Sequence, residues 1–486
     1  MQYPKPMPTP KLLCVFLCLY PVVAEVSEAD RTAILKSMDA RATRYNQLSK
    51  QIWNYAELGF AETQSASALQ KELAGAGFKV ATNIGGAPTA FTASWGSGKP
   101  VIAILGEYDA LPGLSQAPVP EREAMVASGP GHGCGHNLLG TASAFAAIMA
   151  KEYLDSHKLS GTIRYYGTPA EEGGGGKIFM ARAGTFKDVD SILSWHPGDR
   201  NGGGNTSSLA NIMGRFRFKG VASHAAAAPE AGRSALDGLM LMNMSIEFMR
   251  EHVPSDTRIH YIISKGGDAP NIVPALAESR MVARSPSMTT LIPIWNRILN
   301  CAKGAELQTD TKSEMELEMS YWNTLPNDTL NRLLHKNLSL VGGYPMTAEE
   351  AQFAETIRKS LVATRGGASE LGSQARVMPF AESGTGVAST DVGDLSWQYP
   401  TGGFGAATFV PGVSAHTWQA AACAGMSVGQ KGMLVAAKTL ALSAVDLFVD
   451  PKMNDAAKLD FTRRVEGRKY VSVIPEGEKP RFEYWK

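Results

Sequence analysis

Residues 131–154 read GHGCGHNLLGTASAFAAIMAKEYL. His132, Cys134 and His136 alternate along the first part, and a run of small helix-forming residues follows. An apolar run stands before this stretch, VIAILGEYDALPG (101–113), and two stand after it, GTIRYYGTPAEEGGGG (161–176) and VDSILSWHPGD (189–199). Buried strands alternating with helices predict an α/β sheet, and polar residues at the carboxyl ends of such strands are where sites are built. Asp109, Glu171, Glu172 and His196 all occupy that kind of position.

At 486 residues, 44% hydrophobic and 19% charged, the chain has ample material for a core. Its 47 Lys and Arg balance 46 Asp and Glu, so no basic field draws it to nucleic acid or to an acidic membrane. A small molecule or peptide is the expected partner. Lys5 and Lys11 precede the apolar run LLCVFLCLYPVVA (12–24), which reads as a cleavable export signal, too short for a comfortable membrane span. The expected location is therefore secreted or periplasmic, with no other stretch long and apolar enough to cross a bilayer. Cys134, Cys301 and Cys423 remain in the mature chain, which is too few for a disulfide framework.

After about residue 207 the texture changes. IMGRFRFKG (212–220) alternates with period two, a helix is expected near 230–252, strands at RIHYIISKGG and ESRMVARSPS, a helix over TTLIPIWNRILNCAKGA, and a strand over 312–322. This β-α-β-β-α-β order predicts an antiparallel sheet with two helices on one face, inserted as residues 209–325 into an α/β domain formed by 25–208 and 326–486, after the signal 1–24. The last 35 or so residues are charged and proline-containing and are expected to wrap the surface.

In an extended segment residues i and i+2 share a face, so Cys134 and His136 would reach one pocket. A thiolate and a neutral imidazole are good ligands for zinc and related divalent ions. Glu171 and Glu172 open onto four glycines. Beside a metal, one carboxylate can ligate while its neighbour takes a proton from water, which is what metal-assisted hydrolysis requires. His196 in SWHPG and His416 in VSAHTW add two imidazoles at a strand end and a loop.

The motifs EYDALPGLSQ, GHGCGHNLLG, PAEEGGGG, SWHPG, GVASHAAAAPE, GGDAPNIVPALAE and AHTW come in one order along the chain. In that order and approximate spacing the chain resembles the dinuclear metallo-aminoacylase and carboxypeptidase family, and its CGH motif resembles the amidohydrolase branch. The resemblance implies a mixed-sheet metallohydrolase domain with an α+β lid and dimerisation domain. It implies two divalent ions, zinc or manganese, held by Cys134, His136, Glu172, His196 and His416, with the thiolate shared. Glu171 would be the general base, and Asp109 would orient a ligand imidazole or cap the following turn. His224 would reach across a dimer to polarise the scissile carbonyl, with Asn271 and Arg284 near substrate. The implied reaction is hydrolysis of N-acyl amino acids of the p-aminobenzoyl-glutamate kind. The alternatives are a dipeptidase or carboxypeptidase and a non-catalytic subunit. The implied assembly is a homodimer or a pair with a related subunit. The insertion SQAPVPEREAMVASGP (115–130) is longer than in shorter family members and lies beside the metal motif.

Overall fold

The computed structural model describes residues 25–361 and 370–485; the expected leader, 1–24, lies outside them. The first six strands are β1 (Lys79–Thr82), β2 (Phe91–Ser97), β3 (Val101–Gly106), β4 (Gly161–Gly167), β5 (Ser191–Gly198) and β6 (Gly202–Ser207). Four more follow, β7 (Ala210–Lys219), β8 (Arg258–Lys265), β9 (Leu276–Ser285) and β10 (Lys312–Tyr321), and the last two are β11 (Ala381–Thr385) and β12 (Thr401–Ala407). They form an eight-stranded mixed sheet in the order β1-β2-β4-β3-β5-β12-β6-β11 and a separate antiparallel sheet in the order β10-β7-β9-β8. The helices Ala235–Met249 and Met288–Thr309 complete the β-α-β-β-α-β order of the smaller unit.

β3 shows why the centre of the large sheet reads as an unbroken apolar run. Its side chains alternate between two cores: Ile102 and Ile104 join the helices Glu28–Tyr55, His136–His157 and Ser427–Val449, while Val101, Ala103 and Leu105 pack with Phe179, Met180 and Phe186 on the other face. The helix Ser427–Val449 is long and apolar enough to cross a membrane by length and composition, contrary to the expectation that no such stretch follows the leader. The structure uses it as a core helix, with 83% of its most apolar window buried.

The extended geometry expected for 132–136 is not found. Cys134 lies in a turn, Gly135 takes a left-handed φ of 76°, and His136 opens the helix His136–His157. A β-carbon at Gly135 would press on Pro197 at 3.0 Å as well as strain the turn. A chain reversal, rather than strand alternation, brings the thiol and imidazole to one side.

The C-terminal region also differs from a surface wrap. Lys452–Val465 is a helix, and the chain beyond it is tied to Asp394, Trp322 and β10. Tyr470 donates its hydroxyl to Asp394 Oδ1 at 2.8 Å, and the Trp322 backbone N–H donates to Asp394 Oδ2 at 3.1 Å. Burial pushes the Asp394 carboxyl up to about 7, against the pull of those donors. The native state therefore holds a proton that the unfolded chain, with its ordinary value of 3.8, releases earlier. This group's contribution to stability falls as pH rises from about 4 to about 7 and is flat above. Asp394→Asn is expected to abolish that fall, gaining on the wild type between about pH 4.5 and about pH 7.5 in urea midpoint. An identical difference at both pH values would mean the carboxyl does not titrate there.

Candidate metal centre

β3 delivers its chain to Glu107 and Asp109, both buried. Asp109 accepts from two loops at once: its Oδ1 takes the His136 Nδ1 proton at 2.8 Å and its Oδ2 the Glu172 backbone N–H at 3.0 Å. With Nδ1 protonated, His136 presents a bare Nε2 to the cluster. His196 is fixed the same way, because its Nδ1 donates to the Pro197 carbonyl at 2.7 Å. Its Nε2 then faces Cys134 Sγ at 3.4 Å.

Three donor sets result. Cys134, His136 and His196 offer ligand atoms that lie within 4.8 Å of one another, and so do Cys134, Glu172 and His416, and Glu107, His136 and Glu171. The thiol belongs to the first two. His416 Nε2 stands 3.1 Å from Glu172 Oε2, and its backbone is held in the left-handed region at φ 64° by donation of its N–H to the Gly133 carbonyl at 2.8 Å. That conformation is costly for a histidine and places its ring over the cluster. The buried atoms His136 Nε2, Glu172 Oε1 and Glu107 Oε2 have no hydrogen-bond partner. Unpaired buried lone pairs converging beside the exposed rings of His196 and His416 are what a divalent cation satisfies, so the residues fit the implied metals.

The chain's sequence from 103 to 440 matches the model of peptidase family M20/M25/M40. The protein belongs to this family. It is a hydrolase of the amidohydrolase and peptidase kind. Over 467 residues it is 41% identical to one of the subunits of p-aminobenzoyl-glutamate hydrolase from Escherichia coli, covering 91% of this chain and 97% of that one. Over 452 residues it is 30% identical to the Xaa-Arg dipeptidase of Mus musculus, covering 90% and 93%. The fold is similar to that of an aminobenzoyl-glutamate utilization protein from Klebsiella pneumoniae, with a TM-score of 0.58, 19% identity, and 84% and 97% of the two chains covered.

In this M20 chain the two adjacent glutamates have opposite environments. Burial would raise the Glu172 carboxyl, but the bond from His416 holds it below the ordinary range. Burial drives the Glu171 carboxyl well above that range, and the charges of Glu107 and Glu172 add to the effect. The pair is aimed by strained backbone just before it. Ala170 has φ 55°, and its N–H donates to buried Glu62 at 2.8 Å. The Tyr321 hydroxyl, from the end of β10, donates to the Glu171 carbonyl at 2.9 Å.

His224 and Asn271 come together, but in the smaller unit. The His224 backbone bridges to Ile272, and the Asn271 carbonyl accepts from the Ala225 N–H at 3.0 Å. His224 Nδ1 accepts the N–H groups of Ala226 and Ala227 at 3.2 and 3.1 Å, which puts its proton on Nε2. Arg284 sits in β9 between Asn211 and Arg258, and among the described residues no hydrogen bond or ion pair joins it to the metal cluster. His132 is buried, with Nε2 3.1 Å from the Ile52 carbonyl, and burial lowers it to about 4. It is a neutral structural histidine.

Sequence reasoning missed the charges behind the cluster. Glu107 Oε2 lies 3.2 Å from His136 Nε2, while its Oε1 meets Lys177 Nζ at 2.7 Å. Lys177, fully buried, also meets Asp391 Oδ1 at 2.6 Å. The signal was present: Glu107 precedes Asp109 by two residues at a strand end, and Lys177 follows the glycine run directly. Lys177→Met would leave two buried carboxylates facing each other without a cation, at a cost of about 3–5 kcal/mol. The exposed Lys219–Glu314 pair is the control, and Lys219→Ala should cost under about 1 kcal/mol. Thermal unfolding in excess chelator reads the difference free of metal loss, and equal midpoints for the two variants would contradict it.

Proposed function

We propose that this chain hydrolyses the amide bond of N-acyl amino acids, with p-aminobenzoyl-glutamate as the first candidate substrate. The observation that carries the reading is geometric: two donor sets share the buried Cys134 thiol, and the buried Glu171 carboxyl stands next to Glu172, a member of one of them. Cys134, His136 and His196 would hold one ion and Cys134, Glu172 and His416 another, zinc by ligand softness or manganese by availability. Such ions supply Lewis-acid polarisation of the amide carbonyl and of the attacking water.

The remaining work falls to side chains. Glu171 takes one proton from the attacking water onto a carboxylate oxygen as the C–O bond forms. It gives that proton to the amide nitrogen as the C–N bond breaks, so the products are the free acid and the amino acid. Asp109 keeps His136 in one tautomer and fixes the backbone of Glu172 through the cycle. The His224 Nε2–H is a donor of the kind that stabilises a developing oxyanion.

Glu171→Gln keeps the shape of the side chain and removes the proton carrier. It should lower kcat on p-aminobenzoyl-glutamate by roughly 10²–10⁴-fold while metal content by elemental analysis stays that of the wild type. An Xaa-Arg dipeptide assayed beside it decides between amidohydrolase and dipeptidase. Unchanged turnover in the variant would remove the proton-carrying role.

The smaller unit supports a dimer. The helix Ala235–Met249 exposes Met240, Met244 and Phe248, the last 71% exposed, and the edge strand β8 exposes Ile262 and Ile263. An unpaired strand edge beside an apolar helix face suits pairing with a second copy, which would bring His224 to a neighbouring site. A related but different chain is the other partner to test, since the Escherichia coli relative is itself named as one subunit of its enzyme. Light scattering should give a dimer for the wild type and a monomer for Phe248→Asp. A monomeric wild type that is fully active would end the dimer reading.

A further inference from the structure

Beyond Val465 the chain runs past Trp322, Arg182 and β10 and reaches the glycine loop that follows Glu171 and Glu172. Trp322 Nε1 donates to the Val471 carbonyl at 2.9 Å, and Arg182 donates to Ser472 Oγ at 2.8 Å and to the Ile474 carbonyl. Arg481 then pairs with Glu316 of β10 at 2.8 Å. Phe482 and Tyr484 both meet Phe60 edge to face, at ring separations of 5.8 and 6.2 Å.

The fit of Tyr484 is close. A β-carbon at Gly173 would lie 2.7 Å from the Tyr484 ring, and one at Gly174 3.0 Å from it. The φ of Gly173, 138°, is in itself a conformation for glycine. These glycines therefore receive an aromatic ring from the far end of the chain. Burial raises the Tyr484 hydroxyl, and the neighbouring charges of Asp109, Glu62, Glu172 and Glu171 act in the same direction.

Next to this contact, a cavity of about 530 Å³ opens at Glu172. Its apolar walls are Leu58 and Leu111 from the catalytic unit, Met213 and Met319 from the smaller sheet, and Tyr484 and Trp485 from the C-terminus. The arginines that line it are already engaged: Arg215 and Arg280 both bond Glu318, and Arg481 bonds Glu316. Glu172, Glu316, Glu318 and Glu483 line it as well, so the cavity joins rings, thioethers and aliphatic groups to negative charge, with its arginines paired, which suits a neutral, flat apolar group better than a carboxylate.

We propose that residues 481–485 form the outer wall of the acyl-group pocket and that Trp485, with Tyr484 behind it, selects aromatic acyl groups. The inference rests on the amide-hydrolase reading above and says which half of the substrate the cavity takes. The C-terminal segment is then a specificity element: the cavity beside Glu172 keeps only its catalytic-unit and smaller-sheet walls if the segment is removed.

The test compares kcat/KM for p-aminobenzoyl-glutamate and N-acetyl-glutamate, which differ only in the acyl group. Three metal-loaded full-length proteins are used (wild type, Trp485→Ala and Trp485→Phe), with a chain ending at Pro480 that retains the ties of Tyr470, Val471 and Ile474. The aromatic-to-acetyl ratio should fall about tenfold or more in Trp485→Ala and in the shortened chain, through KM, and recover substantially in Trp485→Phe. A common factor on both substrates, leaving the ratio unmoved, would reduce the segment to a structural tie and overturn the proposal. A wild type that hydrolyses neither substrate would overturn the amide-hydrolase reading, and this inference with it.

Discussion

The site hangs on one buried carboxylate. Asp109, 1% exposed, accepts a hydrogen bond from the His136 ring with one oxygen and from the Glu172 backbone with the other. The two bonds join the loop after β3 to the helix His136–His157 and to the loop after β4. They fix which nitrogen of His136 is bare and where the Glu171–Glu172 backbone stands. A carboxylate in so dry a place is tolerated because both oxygens are engaged.

Around it the structure compensates for concentrated negative charge rather than avoiding it. Glu62, Glu107, Asp109, Glu171, Glu172 and Asp391 are all buried or nearly so, and Lys177 is the cation set among them. Glu62 satisfies the strained Ala170 N–H, Glu107 and Asp391 share Lys177, and Glu172 is drawn to His416. Glu171 is left as the carboxyl with the most raised proton affinity of the adjacent pair. The three buried atoms without partners point into the same space, and this matches the chemistry of a family whose peptidase model covers most of the chain.

The smaller sheet touches this centre directly. Tyr321, at the end of β10, donates to the Glu171 carbonyl, so any movement of that sheet is felt at Glu171. The C-terminal segment completes the enclosure by pairing with β10 through Arg481 and seating Tyr484 on Gly173 and Gly174. Three stretches far apart in the chain thus meet at one loop of glycines.

Much of this was legible from the chain. Period-two and helical spacing gave the β-α-β-β-α-β order between Ala210 and Tyr321, and the apolar runs ending in polar residues located β3, β4 and β5, because both patterns depend on near neighbours. Cys134, His136, Glu171, Glu172, His196 and His416 stood out by residue type and position. Their grouping around a shared thiol came from the family resemblance and not from local pattern, since Gly135 turns the chain where an extended segment was expected. Glu107, Lys177 and Asp391 are marked as a group only by burial and by a pairing 214 residues apart, and the tail reads as a wrapping until Tyr484 is seen against Gly173. The sequence by itself determined the elements and the chemistry they carry, because periodicity and side-chain type are local. The tertiary structure alone decided which charges are paired, which carboxyl holds its proton and what walls the pocket, because those depend on burial and on partners brought together from distant parts of the chain.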